Sequence, residues 1–208
     1  MTTWIKICGI TRNADADAVV NAGADALGLV FVPGTPRAVC VERAHEIAAR
    51  VRGQVRRVGL FMDPDREAVQ RVLDAVELDA LQFHGGEPAS FCRSFGLPYV
   101  KTVKVRAPLR LPALETDYHD ACCLLLDTFV EGVPGGSGVT FDWGLWPASS
   151  TLPLVLAGGL TPENVAGAVQ RLRPWGVDVS GGVEGACKGE KDRGRIQAFV
   201  AEVKRAGS

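Results

Sequence analysis

No long apolar run occurs among the 208 residues: stretches such as Ala26–Val32 are far shorter than the ~18–20 residues a membrane-spanning helix needs. Neither charge sign prevails. The 23 lysines and arginines nearly balance 24 aspartates and glutamates, and the basic residues form no stripe. A nucleic-acid partner and a polybasic membrane anchor are therefore not expected. Met1–Thr11 has no basic segment followed by an apolar one, so no signal peptide is read there and a cytoplasmic location is expected. Histidines are scarce, and no two of His45, His84 and His119 share a chelating spacing. The six cysteines include no Cys-x-x-Cys, and adjacent Cys122 and Cys123 would face opposite sides of any strand. No metal is expected. A reducing compartment disfavours disulfides, and the thiols other than Cys8 read as small buried hydrophobes. With 47% hydrophobic and 23% charged residues, the composition excludes disordered and low-complexity classes.

What the sequence has is alternation. Eight apolar, strand-like runs lie at about Trp4–Cys8, Ala26–Phe31, Arg57–Phe61, Asp79–His84, Tyr99–Val105, Ala121–Asp127, Leu154–Ala157 and Val177–Ser180. Between them apolar residues recur at i, i+3, i+4 and i+7, as in Ala44–Val51, Val69–Val76, Val165–Leu172 and Ile196–Val203. Asp63 before Pro64 and Thr161 before Pro162 read as helix N-caps, and Gly23 and Gly53 as C-caps. Two intervals are weak, because Arg106–Asp120 carries two prolines and Phe141–Pro147 holds only a short helix. Eight βα units without a break in composition predict a single (β/α)₈ TIM barrel over residues 1–208. An open doubly wound sheet is the alternative.

A barrel of this kind builds its active site from loops at the carboxyl ends of its strands. Cys8, Arg37, His84, Asp127, the Gly158–Gly159 pair and Ser180–Gly181–Gly182 all follow or end predicted strands, on one rim. Glycines let backbone N–H groups approach an anion closely, and the loops after strands seven and eight are a recurrent phosphate site. The plain alternative is that they only turn the chain. Cys8 and Asp127 suit an acid/base pair, since local charge can lower a thiol and burial can raise a carboxyl. Equally, they suit a core thiol and a turn aspartate. His84 fits a general base or a backbone-bonded loop histidine. Arg37 fits a carboxylate or phosphate partner or a solvated charge. Asp178 is an inward polar residue near the site or a half-buried structural one.

Lys6-Ile7-Cys8-Gly9-Ile10-Thr11 resembles the opening of the phosphoribosylanthranilate isomerases, barrel enzymes of tryptophan biosynthesis. The resemblance continues through Pro36-Arg37, Gln82-Phe83-His84-Gly85, Leu126-Asp127, Gly135-Gly136-Ser137-Gly138 and Phe141-Asp142-Trp143. Ala157–Leu160, Pro162–Val165, Val177–Glu184 and Gly189–Asp192 complete it, in family order. It implies that Cys8 is the general base and Asp127 the general acid. By the same resemblance Arg37 holds the anthranilate side of the substrate, and Gly158, Gly159, Ser180 and Gly181 the phosphate, with Gly182 beside them. Four positions depart from the family pattern: Phe83, Ser137, Gly181 and Lys188. Of these only Gly181, where serine is usual, touches the expected site, and it would remove a hydroxyl from the phosphate cradle.

The implied reaction is an Amadori rearrangement of a small phosphorylated aminoaldose to a 1-deoxyribulose 5-phosphate, with no cofactor. The partner expected is that substrate alone, in a monomer or homodimer. A related histidine-pathway isomerase uses a carboxylate where this chain has Cys8. A sugar-phosphate epimerase would need metal-binding rim residues. A non-catalytic phosphate-binding barrel would not need both Cys8 and Asp127.

Overall fold

The computed structural model describes residues 2–105, 108–128 and 142–207. The motif residues 135–138 and Phe141 lie outside them. Eight strands form a closed barrel: β1 (Trp4–Cys8), β2 (Ala26–Val30), β3 (Arg56–Phe61), β4 (Ala80–Phe83), β5 (Tyr99–Val105), β6 (Cys123–Thr128), β7 (Leu154–Leu156) and β8 (Gly176–Val179). Each pairs with its sequence neighbours in parallel, and β1 closes on β8 through Ile5↔Val177 and Lys6↔Asp178. That closure excludes the open sheet.

Strands covered on both faces need apolar side chains on both, which is why the runs read as nearly continuous. Ile5, Ile7, Leu27, Leu29, Leu124, Leu126 and Val177 join the helices in the main core. The alternate residues Val100, Cys123, Leu125 and Val155 pack together with Trp4 in a separate cluster. Trp4 also stacks on Trp175, centroids 5.3 Å apart. Successive strand residues point to opposite faces, so the interior below the rim is closed by this apolar plug.

The helices are α1 (Asn13–Ala22), α2 (Val41–Arg50), α3 (Arg66–Ala75), α4 (Ala89–Cys92), α5 (Leu111–Asp117), α6 (Val165–Leu172) and α7 (Arg193–Ala206). The buried stripes follow the sequence periodicity: Ala44, Ile47 and Ala48 on α2, and Ile196, Phe199, Val200 and Val203 on α7. The interval Phe141–Pro147 holds a 3₁₀ turn, Trp143–Leu145, and α5 begins beside Pro112, as the weak periodicity implies. α4 has only four residues.

Several caps differ from the sequence reading. Asp65, not Asp63, caps α3 by accepting from Ala68 N at 2.6 Å. Asp63 adopts φ +47° and ties two rim loops together, its Oδ1 accepting from Gly86 N at 2.6 Å and its N–H donating to Glu87. Thr161 closes the turn before α6, while Asn164 occupies the N-cap. Gly23 ends α1 in the left-handed conformation as expected, but Gly53 lies two residues beyond Val51, the C-cap of α2. The cysteine reading also needs correction. Cys92 and Cys123 are buried, but Cys40, Cys122 and Cys187 are exposed, because they sit in connections and not on core-facing positions.

Candidate active site

At the carboxyl ends of the strands lies a cavity of about 820 Å³. Cys8, Arg37, His84, Asp127, Gly158, Gly159, Asp178, Ser180, Gly181 and Gly182 all line it. The barrel thus brings every residue singled out from the sequence to one space of a size suited to a small ligand.

Cys8 is the last residue of β1 and is buried, with Lys6 beneath it on the same inner face. Lys6 Nζ lies 2.9 Å from Asp178 Oδ1 across the closing strand pair. Burial alone would lower the ammonium's pKa, but Asp178, with help from Cys8, holds it above the ordinary lysine value. Burial pushes the Cys8 thiol up, against the pull of Lys6 and Lys191. Room for this cluster comes from Gly28 on β2, where a Cβ would stand 2.7 Å from Cys8 Sγ and 3.2 Å from Lys6 Cε.

Asp127, near the end of β6, is 7% exposed. Its Oδ1 accepts from Thr128 N at 2.9 Å, and His84 Nε2 stands 3.3 Å from its Oδ2. His84 is the first residue beyond β4, anchored by its N–H to Phe61 O at 2.8 Å. Its Nδ1 lies 3.5 Å from Gln82 Nε2, which itself donates to Thr102 Oγ1 at 3.1 Å. Among the described residues His84 Nε2 and Thr128 Oγ1, on either side of Asp127, are buried without a hydrogen-bond partner. Gly158 presses against this carboxylate. It has φ +85°, and a Cβ there would lie 2.2 Å from Thr128 Oγ1 and 2.8 Å from Asp127 Oδ1, so glycine is required.

Arg37 makes a two-pronged ion pair with Glu184, Nε to Oε1 at 2.7 Å and Nη2 to Oε2 at 3.0 Å. Lys191 Nζ reaches the same Glu184 Oε1 at 3.1 Å, together with Ser180 O and Oγ. Burial opposes ionisation of Glu184, yet Arg37 and Lys191 outweigh it and hold its carboxyl below the usual range. Lys191 itself is lowered, by burial.

The glycine loops face each other. A Cβ on Gly182 would stand 1.8 Å from Leu160 O, so the loop after β8 touches the loop after β7 backbone to backbone. Asn164 fixes the latter, donating to Gly159 O at 2.9 Å and accepting from Thr161 N at 2.8 Å. Gly181 does not sit as expected. A Cβ there would lie 3.2 Å from Arg37 Nη2 and 3.9 Å from Glu184 Oε2, so a side chain at 181 aims at the Arg37–Glu184 pair and not into the loops.

The N-(5'phosphoribosyl)anthranilate (PRA) isomerase family model matches residues 5–202. The chain belongs to this family. It is 53% identical over 199 residues to the N-(5'-phosphoribosyl)anthranilate isomerase of Pseudomonas fluorescens (strain Pf0-1), covering 96% of this chain and 97% of that protein. A crystal structure of monomers generated from the dimeric isomerase of Thermotoga maritima is similar at TM-score 0.85, with 36% identity over 98% of this chain and all of that one. A phosphoribosyl anthranilate isomerase in complex with reduced 1-(o-carboxyphenylamino)-1-deoxyribulose 5-phosphate matches at TM-score 0.84 and 38% identity, over 98% and 100% of the two chains. The chain is accordingly an isomerase of tryptophan biosynthesis on a TIM barrel.

Lys6, Glu184, Lys191 and Gly28 were not singled out as site residues from the sequence. A signal for Lys6 existed. Lysine in Trp4–Cys8 and aspartate in Gly176–Val179 are charges inside apolar strands, and closure of the barrel makes those two strands neighbours. Glu184 and Lys191 lie inside the motifs Val177–Glu184 and Gly189–Asp192 that carry the resemblance, but their relation to Arg37 spans most of the chain and no local pattern reveals it.

Proposed function

We propose that Asp127 and Cys8 are the acid and the base with which this chain carries out the rearrangement of its family. The neutral Asp127 carboxyl donates a proton to the furanose ring oxygen. The C1–O bond breaks and leaves an iminium between C1 and the anthranilate nitrogen. Cys8 as thiolate removes the C2 proton, and the electron pair of that bond moves into the iminium to give an enolamine. Protonation at C1 and loss of the enol proton then yield the ketone. The iminium is the electron sink, so this route uses the chain's own groups alone. Arg37 takes the anthranilate carboxylate; Gly158, Gly159, Ser180 and the N–H groups at Gly181 and Gly182 take the phosphate; His84 and Asp178 position the acid and the floor of the site.

The observation that carries this reading is the shared cavity: a thiol and a carboxyl at inward rim positions of β1 and β6, between an arginine fork and two facing glycine loops. The ligand of the similar complex has both a carboxyphenyl group and a 5-phosphate, which suit the two ends of this cavity. The reading extends to one barrel domain over the whole chain, a small phosphorylated ligand as its partner, and a cytoplasmic location, which suits six free cysteines. It also covers a monomer or a homodimer, both states being named for the Thermotoga maritima protein. Among the described residues no helix is long and apolar enough to cross a membrane. Loss of phosphoribosylanthranilate fluorescence on adding the purified protein tests the activity. No loss above the uncatalysed rate, with folded protein and fresh substrate, would refute it.

A further inference from the structure

The side chains of Lys6 and Asp178 form an ion pair almost without solvent, 1% and 9% exposed, with Nζ 2.9 Å from Oδ1. An ion pair this deep is weak evidence for stability, because desolvating two charges offsets most of their attraction and an apolar pair of equal volume would serve the fold as well. Its location points to a use. Alternation along β1 places Lys6 one step below Cys8 on the inner face, and the β1–β8 register sets Asp178 beside Lys6. On the other flank Gly28 offers no side chain at a point 2.7 Å from Cys8 Sγ and 3.2 Å from Lys6 Cε, so thiol and ammonium stem share one undivided space.

We propose that Lys6 is a positioning residue for the reaction: its ammonium, fixed by Asp178 beneath Cys8, stabilises the thiolate that takes the C2 proton. The proposal rests on reading Cys8 as the base. Of the charged groups facing the thiol, Lys6 on β1 and Lys191 from the segment after β8 favour the thiolate, while Asp178 on β8 opposes it. Asp127 and His84 stand on the same cavity wall, and Arg37 packs on Gly9, the residue after Cys8. Lys6 is the strongest of the favourable influences. In the step itself, the C2 proton passes to sulfur, the electron pair enters the iminium, and Lys6 keeps its proton throughout. The resulting thiol no longer needs the ammonium, so Lys6 stabilises the reactive form of the base selectively.

The test is the pH dependence of Cys8 alkylation by iodoacetamide, read by peptide mass because Cys40, Cys122 and Cys187 are exposed. The thiolate is the nucleophile, so the alkylation curve follows its formation. The double substitution Lys6→Met with Asp178→Asn removes both charges and leaves none buried alone. It should displace the Cys8 curve toward higher pH and slow Cys8 alkylation near neutrality by about tenfold or more, with the exposed cysteines unchanged. Lys6→Met alone should move it at least as far, since Asp178 remains; should that variant not fold, the double variant decides. An unmoved curve in the folded double variant, beside an inactive Cys8→Ala, overturns the role of Lys6 alone. A fully active Cys8→Ala overturns the base reading, and this proposal with it, whatever the curve does.

Discussion

The guanidinium of Arg37 is held edge-on by Glu184, Nε to Oε1 at 2.7 Å and Nη2 to Oε2 at 3.0 Å. A planar fork bound at two points has a fixed orientation, which a lysine ammonium cannot reproduce. Arg37→Lys should therefore raise KM about tenfold or more with a smaller change in kcat, as expected for a group that binds substrate and transition state alike. Glu184→Gln should raise KM less, because the shape is kept and only the charge-assisted grip is lost. In the parent enzyme the same loosening should appear as pH falls through the depressed titration of Glu184, where its carboxylate protonates and releases Arg37. Steady-state kinetics separate the cases. A fall in kcat at constant KM in Arg37→Lys would move Arg37 from substrate binding to the reacting carbon.

Cys8, as the proposed base, should give the rate its pH dependence on the acidic side. Burial holds its thiol above the usual value despite Lys6 and Lys191, so the thiolate is the minor form near neutrality. The thiolate fraction should then climb with pH through neutrality into the alkaline range, and with it the part of kcat/KM that depends on Cys8. Cys8→Ala should remove about 10²–10⁴-fold of kcat, the usual contribution of a positioned base, and should abolish this limb. Near-parent kcat in Cys8→Ala would return Cys8 to the role of a buried thiol.

Asp127 should behave as the mirror case. Asp127→Asn keeps the shape and the bond from Thr128 N but has no proton to donate, so turnover should collapse while a product analogue still binds. His84, 3.3 Å from Asp127 Oδ2, should act through that carboxyl. His84→Asn is expected to lower kcat with a smaller change in KM. If Asp127→Asn keeps near-parent kcat, the proton comes from elsewhere, and His84 is the first candidate.

The barrel was legible in the sequence because its strands are covered on both faces and its helices on one, two patterns with different periods. Strand ends agree to within a residue or two, and that accuracy placed Cys8, His84 and Asp127 at the rim. Caps were less legible. At Asp63-Pro64 the local signal suggested a helix start, but Asp63 is held in a left-handed conformation by contacts to Gly86 and Glu87, over twenty residues away. The arginine fork was hidden for the same reason, since Arg37 and Glu184 are 147 residues apart in sequence. Direction was the other loss. The sequence showed that serine is missing at position 181, but only the backbone shows which way its side chain would point.

That direction decides what restoring serine would do. A hydroxyl lost from the phosphate loops would make Gly181→Ser lower KM by strengthening the phosphate contact. With its Cβ 3.2 Å from Arg37 Nη2 and 3.9 Å from Glu184 Oε2, serine at 181 meets the arginine fork instead. Gly181→Ser should leave inhibition by inorganic phosphate unchanged and alter KM only through the anthranilate end, by no more than one charged hydrogen bond, ~1.5–3 kcal/mol. Gly181→Asp should compete with Glu184 for Arg37 and raise KM for the whole substrate, and its carboxylate, on a residue whose N–H faces the phosphate, should weaken phosphate inhibition as well. Gly182 is the contrasting position. Even one methyl group there would stand 1.8 Å from Leu160 O and force the two loops apart, so Gly182→Ala should weaken phosphate inhibition about tenfold or more in a protein that remains folded. Competitive inhibition by inorganic phosphate, measured on all three variants, gives the ordering. Parent-like inhibition in Gly182→Ala, or a large loss in Gly181→Ser, would place the phosphate away from the junction of these loops.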